Sequence, residues 1–285
     1  MPGSTMAGEI AMATLADPGP SVSAATAPPE TSAKWTSETI LSVRDWSPTL
    51  FSFRTSRYRG FRFTPGQFAR LGIAREDGSI VWRAYSVASA AHDEHLEFLS
   101  VVVPGGEFTG RLTRFAPGDR ILVDKTSYGF LTIDRFPDGS DLWLLSSGTG
   151  LAPFLSILRD PAVWQRYQRL ILVNSVRHAA ELAFREEIAG LEANELFAAT
   201  RAHLRYLPTV TREACPGAIA ARITQAIADG SLEAAAGAKL DPERSRLMIC
   251  GNPEMALELR ELLGQRGFRV GRRSVPGQLA FENYW

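Results

Sequence analysis

The sequence predicts two halves of different class: an antiparallel six-stranded β-barrel, followed by a doubly wound parallel sheet covered by helices. In the first half, short apolar runs alternate with turn signals such as Thr64-Pro65-Gly66 and Pro117-Gly118-Asp119, which is typical of a barrel. Beyond Asp138-Gly139, buried runs alternate with amphipathic stretches of helical length, which indicates a parallel α/β sheet. The chain has 285 residues and is 45% hydrophobic, enough for two packed units.

The apolar pattern gives the order of elements in each half. The predicted barrel strands are Thr39 to Arg44, Leu50 to Arg54, Gln67 to Ile73, Ile80 to Ala88, Leu96 to Val103 and Arg120 to Asp124, with one short helix near Gly110 to Phe115. The predicted strands of the second half are Leu142 to Leu145, Leu170 to Asn174, Leu204 to Pro208 and Leu247 to Cys250. Its predicted helices are Pro153 to Arg159, Leu182 to Leu191, Ile219 to Ala228 and Pro253 to Gly264. We therefore expect a barrel domain over 34–137 and an α/β domain over 138–285.

Residues 1–33 differ from the rest of the chain, because Ala, Ser, Thr, Pro and Gly dominate and large apolar side chains are rare. This composition predicts a disordered N-terminal extension. A transit peptide is the alternative, but no Arg or Lys precedes Lys34 and acids occur at Glu9, Asp17 and Glu30, against the usual basic bias.

The overall charge excludes several classes of partner. The 31 Lys and Arg residues balance 31 Asp and Glu residues, so no bulk field favours nucleic acid or a membrane surface. No apolar run reaches the roughly 20 residues of a membrane helix. Two cysteines, Cys215 and Cys250, are too few for a zinc or iron–sulfur site and fit a reducing cytoplasm.

Two motifs in fixed order carry the chemistry. The first is Arg83-Ala84-Tyr85-Ser86, which combines a cation for phosphate, a flat aromatic ring and a small hydroxyl. These are the groups that a reduced flavin nucleotide needs. The second is Gly148-Thr149-Gly150-Leu151-Ala152-Pro153, directly after a predicted buried strand. A glycine turn before a helix N-terminus suits a dinucleotide phosphate, so the pair predicts a flavin site followed by a nicotinamide site.

With five further motifs in the same order, residues 35–285 resemble the bacterial ferredoxin–NADP reductase family, also called flavodoxin reductases. The further motifs are Val103-Pro104-Gly105-Gly106-Glu107-Phe108-Thr109, Val176-Arg177, Thr211-Arg212-Glu213, Cys250-Gly251-Asn252-Pro253 and the terminal Tyr284-Trp285. The resemblance implies an FAD-binding barrel, an NADP-binding α/β domain and a C-terminal tail that returns to the flavin. It also implies hydride transfer between NADPH and FAD and single-electron exchange with ferredoxin or flavodoxin.

The resemblance assigns the flavin contacts residue by residue. It implies Arg83 at the FAD pyrophosphate, Tyr85 stacked on the isoalloxazine ring and Ser86 near flavin N5, with Tyr85 and Ser86 as catalytic residues. The remaining implied FAD contacts are Ala84, the strand backbone of Leu99, Ser100 and Val101, the helix start at Glu107, Phe108 and Thr109, and Thr149 from the second half. The ordinary alternative is a strand with an exposed arginine and a buried tyrosine.

The nicotinamide side is assigned in the same way. The resemblance implies that NADP lies on Gly148, Gly150 and Pro153, and that Arg177, Arg212 and Arg222 surround the 2′-phosphate of its adenosine. An NAD enzyme would be expected to have an acid there instead, and none is evident in the sequence. Gly251, Asn252 and Pro253 would flank the nicotinamide. Cys250 is expected as a small catalytic-site filler beside the ring, not as a nucleophile.

The aromatic C-terminus is the last candidate contact. Relatives ending in Tyr-Trp fold the tail over FAD, which implies Trp285 against the adenine. Ala280-Phe281 also resembles another bacterial branch in which an Ala-Phe pair lies at the flavin, so the residue that touches the isoalloxazine stays open.

Two other functions remain as alternatives. One is an NAD(P)H–flavin reductase or oxygenase reductase component, although two cysteines exclude a cluster of its own. The other is a redox-sensing scaffold that binds FAD without turnover. The cluster Arg54, Arg57, Arg59 and Arg62 is a candidate docking face for an acidic partner, but an ordinary exposed strand is the favoured interpretation. We expect a cytoplasmic monomer.

Overall fold

The first half of the chain forms one antiparallel sheet of six strands. The computed structural model describes residues 32–198, 200–272 and 275–282. The strands are β1 (Trp35–Ser47), β2 (Leu50–Ser56), β3 (Phe68–Ala74), β4 (Ile80–Ser86), β5 (His95–Val101) and β6 (Arg120–Asp124). Their spatial order is β4-β3-β6-β1-β2-β5. The predicted six strands are therefore confirmed.

The six-stranded sheet curls into a barrel around its own core. The buried side chains inside it include Phe53, Leu71, Phe98 and Val123. At the end strands, the Ala88 N–H donates to the Glu97 carbonyl at 2.8 Å, so the chain leaving β4 meets β5. Helix α1 (Glu107–Leu112) packs Phe108 and Leu112 against this core.

The second half forms a fully parallel five-stranded sheet. Its strands are β7 (Asp141–Ser147), β8 (Arg169–Val176), β9 (His203–Val210), β10 (Ser245–Cys250) and β11 (Leu279–Glu282). Their order is β11-β10-β7-β8-β9, so the chain moves outward in one direction from β7 and then returns to the other side at β10. The strand order reverses between β7 and β10, the point where open α/β sheets bind ligands.

Helices cover both faces of the parallel sheet. They are α2 (Ala152–Leu158), α3 (Pro161–Arg166), α4 (Arg185–Gly190), α5 (Glu195–Ala198), α6 (Ile223–Ala228), α7 (Ser231–Ala236) and α8 (Pro253–Gln265). Successive residues of β7 point to opposite faces: Leu144 packs with α2 and α3, and Trp143 packs with α6 and α8. This arrangement confirms the predicted doubly wound class.

Several elements differ from the sequence prediction. The helix expected over Leu182 to Leu191 is broken into a 3₁₀ turn at Ala179–Glu181, α4, and a 3₁₀ turn at Leu191–Ala193. The break lies at Phe184, which has a left-handed backbone (φ 59°). The helix expected from Ile219 begins only at Ile223, because Ile219 forms a bridge with Thr209 of β9 instead. Helices α3, α5 and α7 and strand β11 have no counterpart in the sequence prediction.

The two halves share a hydrophobic core. Leu50, Leu99 and Leu131 from the barrel half belong to the same buried cluster as α2 and the parallel sheet. The Trp46 and Phe184 rings meet across the seam with centroids 4.7 Å apart. The barrel and the sheet are therefore packed together.

The N-terminal expectation lies almost wholly outside the described residues, which begin at Ser32. Ser32 itself already contacts the barrel, because Lys125 donates to its carbonyl at 2.6 Å. Among the residues described, no helix is long and apolar enough to cross a bilayer.

Candidate functional site

A cleft of about 580 Å³ lies at the carboxyl ends of the parallel strands. Residues that follow four strands line it: Gly148 and Thr149 after β7, Arg177 after β8, Arg212 after β9, and Asn252 after β10. Leu50 and Val101 of the barrel half line the same cleft. The opening therefore belongs to both halves, and it lies where the strand order reverses.

The glycine loop after β7 has the close packing that its sequence predicts. Gly148–Leu151 forms a 3₁₀ turn and Ala152 begins α2, with Pro153 in the first turn, where its missing N–H leaves no bond unmade. A Cβ on Gly150 would lie 2.2 Å from the Cys250 carbonyl oxygen. Gly251 (φ 130°) would likewise bring a Cβ within 2.3 Å of Ser147 Oγ. The loops after β7 and β10 thus touch backbone to backbone.

These contacts divide the predicted nicotinamide-side residues into two groups. Gly148, Thr149 and Asn252 line the cleft together with Pro253. Gly150 and Gly251 are packed behind it and bring the two loops together. Asn252 also begins α8, since its side chain accepts the Glu254 N–H at 2.7 Å.

The three predicted phosphate-binding arginines come together in the cleft. Arg177, Arg212 and Arg222 all line it and all are exposed. The Arg212 N–H donates to the Arg177 carbonyl at 3.0 Å, which holds the first two side by side. Within the described part of the chain, none of the three guanidinium groups has a hydrogen-bond or ion-pair partner. Three exposed guanidinium groups on one cleft offer an anion both positive charge and hydrogen-bond donors.

Two glutamates that the sequence analysis missed hold the loop that carries Arg177. Glu181 Oε2 accepts the N–H groups of Arg177 and His178 at 2.9 and 3.0 Å. Glu213 accepts the Ala179 N–H at 2.5 Å, and this bond lowers the pKa of Glu213. Glu181 also lines the cleft. The available signal was its position three residues after the cap residue His178, the spacing of a capping box.

On the barrel side, the two predicted flavin strands lie at the ends of the sheet order. Strand β4 carries Arg83-Ala84-Tyr85-Ser86, and β5 carries Leu99-Ser100-Val101. Among the described strands, β4 pairs only with β3 and β5 pairs only with β2. Their facing edges carry backbone polar groups that the ladders leave available. The 3₁₀ turn at Gly148–Leu151 contacts β5. The glycine loop therefore lies against one of the two predicted flavin strands.

Tyr85 is fixed against the barrel core by its hydroxyl and its ring. Tyr85 Oη and Ser100 Oγ are 2.9 Å apart, and the ring lies 5.6 Å from the Phe108 ring. Burial raises the pKa of Tyr85 to about 12, although the Ser100 hydrogen bond and the charge of Arg83 act in the opposite direction. The phenol is therefore protonated at neutral pH.

The neighbours of Tyr85 differ in exposure. Arg83 and Ala84 are exposed, and the Arg83 guanidinium donates only to the Trp82 carbonyl among the described residues, at 2.8 Å. Ser86, Leu99 and Ser100 are buried. Arg83 is thus the cation on this edge that can meet a ligand.

The predicted helix start at Glu107 is engaged by neighbouring side chains. Arg75 holds the Glu107 carboxylate with two bonds of 2.5 and 2.8 Å, and this pairing lowers the pKa of Glu107. Thr109 Oγ1 accepts the Val103 N–H at 3.1 Å, and Phe108 is buried. Any ligand contact here would come from the backbone of this turn.

Cys250 and Ala280 are both buried in the core that joins the two halves. Burial raises the pKa of the Cys250 thiol far above its ordinary value, and the nearby Glu282 carboxylate adds to the shift. The thiol is therefore neutral and does not line the cleft. Ala280 lies on β11 opposite Met248 of β10. Trp285 and Tyr284 lie outside the described residues.

Arg54 and Arg57 of the barrel cluster are engaged within the fold. Arg57 donates to the carbonyls of Ala91, Asp93 and Phe61 at 2.7 to 2.9 Å, and Arg54 pairs with Glu97 at 2.8 Å. These contacts favour the structural interpretation of that strand over a docking face.

Two family models match the chain in the same order as its two sheets. Residues 37–130 match the oxidoreductase FAD-binding domain, and residues 144–261 match the oxidoreductase NAD-binding domain.

Whole-length relatives agree with these matches. Ferredoxin–NADP reductase A of Sorangium cellulosum is 43% identical over 251 residues, covering 87% of this chain and 89% of the relative. The ferredoxin–NADP reductase of Pseudomonas aeruginosa is 41% identical, covering 86% and 95%. A crystal structure of a ferredoxin NADP⁺ reductase from Neisseria gonorrhoeae with bound FAD and NADP superimposes with a TM-score of 0.83. It has 40% identity and covers 89% of this chain and all of that one.

Proposed function

The chain belongs to the ferredoxin–NADP reductase family, and on that premise we propose that it is an FAD-dependent enzyme that exchanges hydride with NADPH. Its other half-reaction passes single electrons between FAD and a ferredoxin or flavodoxin. The observation that carries the proposal is the shared cleft, in which Leu50 and Val101 of the barrel face Gly148 and Thr149 of the parallel sheet.

The barrel edge fits FAD. When bound, FAD supplies an acceptor of hydride that can release electrons one at a time. The exposed Arg83 guanidinium offers a fork for pyrophosphate oxygens. The facing edges of β4 and β5 offer backbone donors. The Tyr85 side chain, whose hydroxyl is held by Ser100 and whose ring packs against Phe108, provides a rigid aromatic surface. We propose Ser86 and Leu99 to Val101 as further contacts.

The remaining FAD contacts that we propose are Ala84, the turn at Glu107 to Thr109, Thr149, Ala280 and Trp285. Thr149 has the most support, because it lines the cleft beside Val101. Residues 34–137 and 138–285 would then form the FAD-binding and NADP-binding domains.

The arginine side of the cleft fits NADP. We propose that Arg177, Arg212 and Arg222 bind the 2′-phosphate, and that Gly148 and Pro153 admit the diphosphate at the start of α2, with Gly150 supporting the loop from behind. The Glu181 carboxylate is already occupied by two backbone N–H groups. Both bonds go to Oε2, so only Oε1 is left to accept a ribose hydroxyl, as the acid of an NAD enzyme would.

Residues at the seam then hold the two ligands in reacting geometry. Asn252 and Pro253 would flank the nicotinamide, and Gly251 and the neutral Cys250 thiol would support the backbone behind it. Hydride transfer requires the reacting atoms at roughly 3 to 3.5 Å. No side chain of this cleft needs to act as a general acid or base for that step.

The electron partner is the finer part of the proposal. We propose an acidic ferredoxin or flavodoxin in the cytoplasm, exchanging electrons with a monomeric reductase. The names of the relatives support the class of partner.

Stopped-flow mixing tests the proposal. The purified yellow protein should be bleached by NADPH much faster than by NADH, and then reoxidised by a ferredoxin or flavodoxin from the same organism. FAD should stay bound through gel filtration. Loss of FAD on the column would favour a free-flavin reductase, and absence of bleaching by either nucleotide would contradict the proposed function.

A further inference from the structure

We infer that Arg159 is a positioning residue for hydride transfer, because it fixes the helix behind the glycine loop to the chain segment that follows the flavin motif. This inference rests on the proposed function. Arg159 ends α2, which begins directly after Gly148–Leu151. Any movement of α2 along its axis would therefore move the glycine loop with it.

The guanidinium of Arg159 reaches from the α/β half into the barrel half. Its Nη1 donates to the Ala88 carbonyl at 2.8 Å and to Glu97 Oε2 at 2.7 Å. Ala88 lies only two residues after Ser86 of the flavin motif. The Glu97 side chain is 4% exposed, so water does not replace this contact.

A second hydrogen bond from α2 reaches Ser89, the residue after Ala88. Ser156 Oγ donates to the Ser89 carbonyl at 2.8 Å in a buried position. The Ser89 hydroxyl in turn accepts the Glu97 N–H at 3.1 Å. Segment 88–89 is thus held from both sides, by β5 and by α2. The distance between the flavin strand and the glycine loop is set through these bonds.

The outer part of the seam extends the same network. Arg159 Nη2 also donates to Glu187 of α4 at 3.2 Å, and Glu187 pairs with Arg44 of β1 at 2.8 Å. Arg44 lies over the Trp46 ring at 3.7 Å. The charges therefore alternate across the seam, from barrel to sheet and back, which favours one docking geometry of the two halves.

Glu97 offers a matched control for this inference. It accepts from two arginines, Arg159 across the seam on Oε2 and Arg54 within the barrel on Oε1. Replacing either arginine with methionine removes one cation and leaves Glu97 with the other. Only Arg159→Met breaks a contact between the halves.

The test measures bleaching of bound FAD at saturating NADPH in both variants. We expect Arg159→Met to slow bleaching about tenfold or more, while the dissociation constant for NADP⁺ by calorimetry changes less than about threefold. Arg54→Met should stay within about twofold of the parent rate. Arg159→Lys, which keeps one charged donor, should recover part of the loss.

Amide hydrogen exchange of 88–89, measured with and without FAD, gives a readout independent of turnover. Faster exchange is expected in Arg159→Met and not in Arg54→Met. If Arg159→Met does not fold, Ser156→Ala tests the neighbouring bond and should slow bleaching without a matching loss of melting temperature.

Equal effects of the two methionine variants on rate and exchange would overturn the inference, as would an unchanged rate in both Arg159→Met and Ser156→Ala. A parent protein that NADPH does not bleach would instead defeat the proposed function.

Discussion

Three guanidinium groups that have no partner among the described residues are the clearest signal at the scale of single residues. Arg177, Arg212 and Arg222 line one cleft, whereas Arg54 and Arg57 of the barrel are engaged by carbonyls and carboxylates. The sequence shows arginine in both regions, so residue type alone does not separate the two groups. The hydrogen-bond and ion-pair partners in the structure do separate them.

Removing one of these cations should weaken the binding of NADPH more than the binding of NADH. Arg177→Ala should cost about 1.5 to 3 kcal/mol of NADPH binding through a lost charged hydrogen bond, roughly ten- to a hundredfold in dissociation constant. NADH, which lacks the 2′-phosphate, should bind almost unchanged. Titration of each variant with both nucleotides measures this. Arg205→Ala, at an exposed arginine of β9 outside the cleft, is the matched control, and an equal loss for NADH would refute the assignment.

The ring and the hydroxyl of Tyr85 should contribute separately. Tyr85→Phe keeps the ring and loses the bond to Ser100 Oγ, so we expect bound FAD and a stability loss of about 0.5 to 1.5 kcal/mol. Tyr85→Ala removes the aromatic surface and should weaken FAD binding by about 1.5 to 3 kcal/mol. Flavin fluorescence during reconstitution of the apoprotein measures both. FAD binding that is indifferent to Tyr85→Ala would exclude a stacking role.

At the scale of elements, strands were more predictable than helices. Each of the six barrel strands begins within about five residues of its expected start, because a two-residue alternation bounded by turn residues is specific to strands. The helix expected at Leu182 to Leu191 is broken at Phe184, whose left-handed backbone no local pattern announces. Its ring fills the seam against Trp46, so tertiary packing decides the local conformation.

The candidate site was likewise only partly predictable from the sequence. Motif order identified the cleft arginines and the glycine loop, since both are sequence-local features at strand ends. Glu181, Glu213 and Arg159 were missed, because each acts through backbone groups that are distant in sequence or carried by loops. The pairing of β11 with β10 was missed as well, since four residues carry too little periodicity.

The two glycines of the loop after β7 should differ sharply in tolerance. In Gly148→Ala the added methyl group has no atom within 4 Å. The only cost is the left-handed backbone (φ 54°), which should lower the free energy of unfolding by about 1 kcal/mol. Gly150→Ala would drive a methyl group into the Cys250 carbonyl and should cost roughly 3 kcal/mol or more, the cost of severe overpacking. Melting temperatures of the two variants measure the difference. Equal losses would mean that the loops after β7 and β10 separate easily.

At the scale of the whole molecule, the buried carboxylate in the seam makes stability depend on acid. Burial alone would raise the pKa of Glu97, but the charges and hydrogen bonds of Arg159 and Arg54 outweigh it and lower the pKa below its ordinary 4.5. The folded state therefore gains stability from ionised Glu97 above about pH 4.5 and loses it as pH falls through the lower, folded-state pKa.

This dependence can be measured against a neutral variant. The melting temperature of Glu97→Gln should lie below that of the parent at neutral pH, and the gap should narrow as the pH falls below about 4.5. Glu76→Gln, at an exposed position in the turn between β3 and β4, should show no such narrowing. A gap that widens in acid would reverse the assigned sign.

The core shared by Leu50, Leu99 and Leu131 with α2 also limits how such a molecule can be recombined. A chimera that joins 34–137 of one homologue to the remainder of another would inherit two surfaces shaped for different neighbours. If only the parallel-sheet half is exchanged, the hybrid should fold poorly. It should fold better if the barrel residues around Leu50, Ala88 and Glu97 are taken from the same homologue as the sheet. The preference for NADPH over NADH is therefore better altered by changing side chains at the strand ends than by exchanging whole domains.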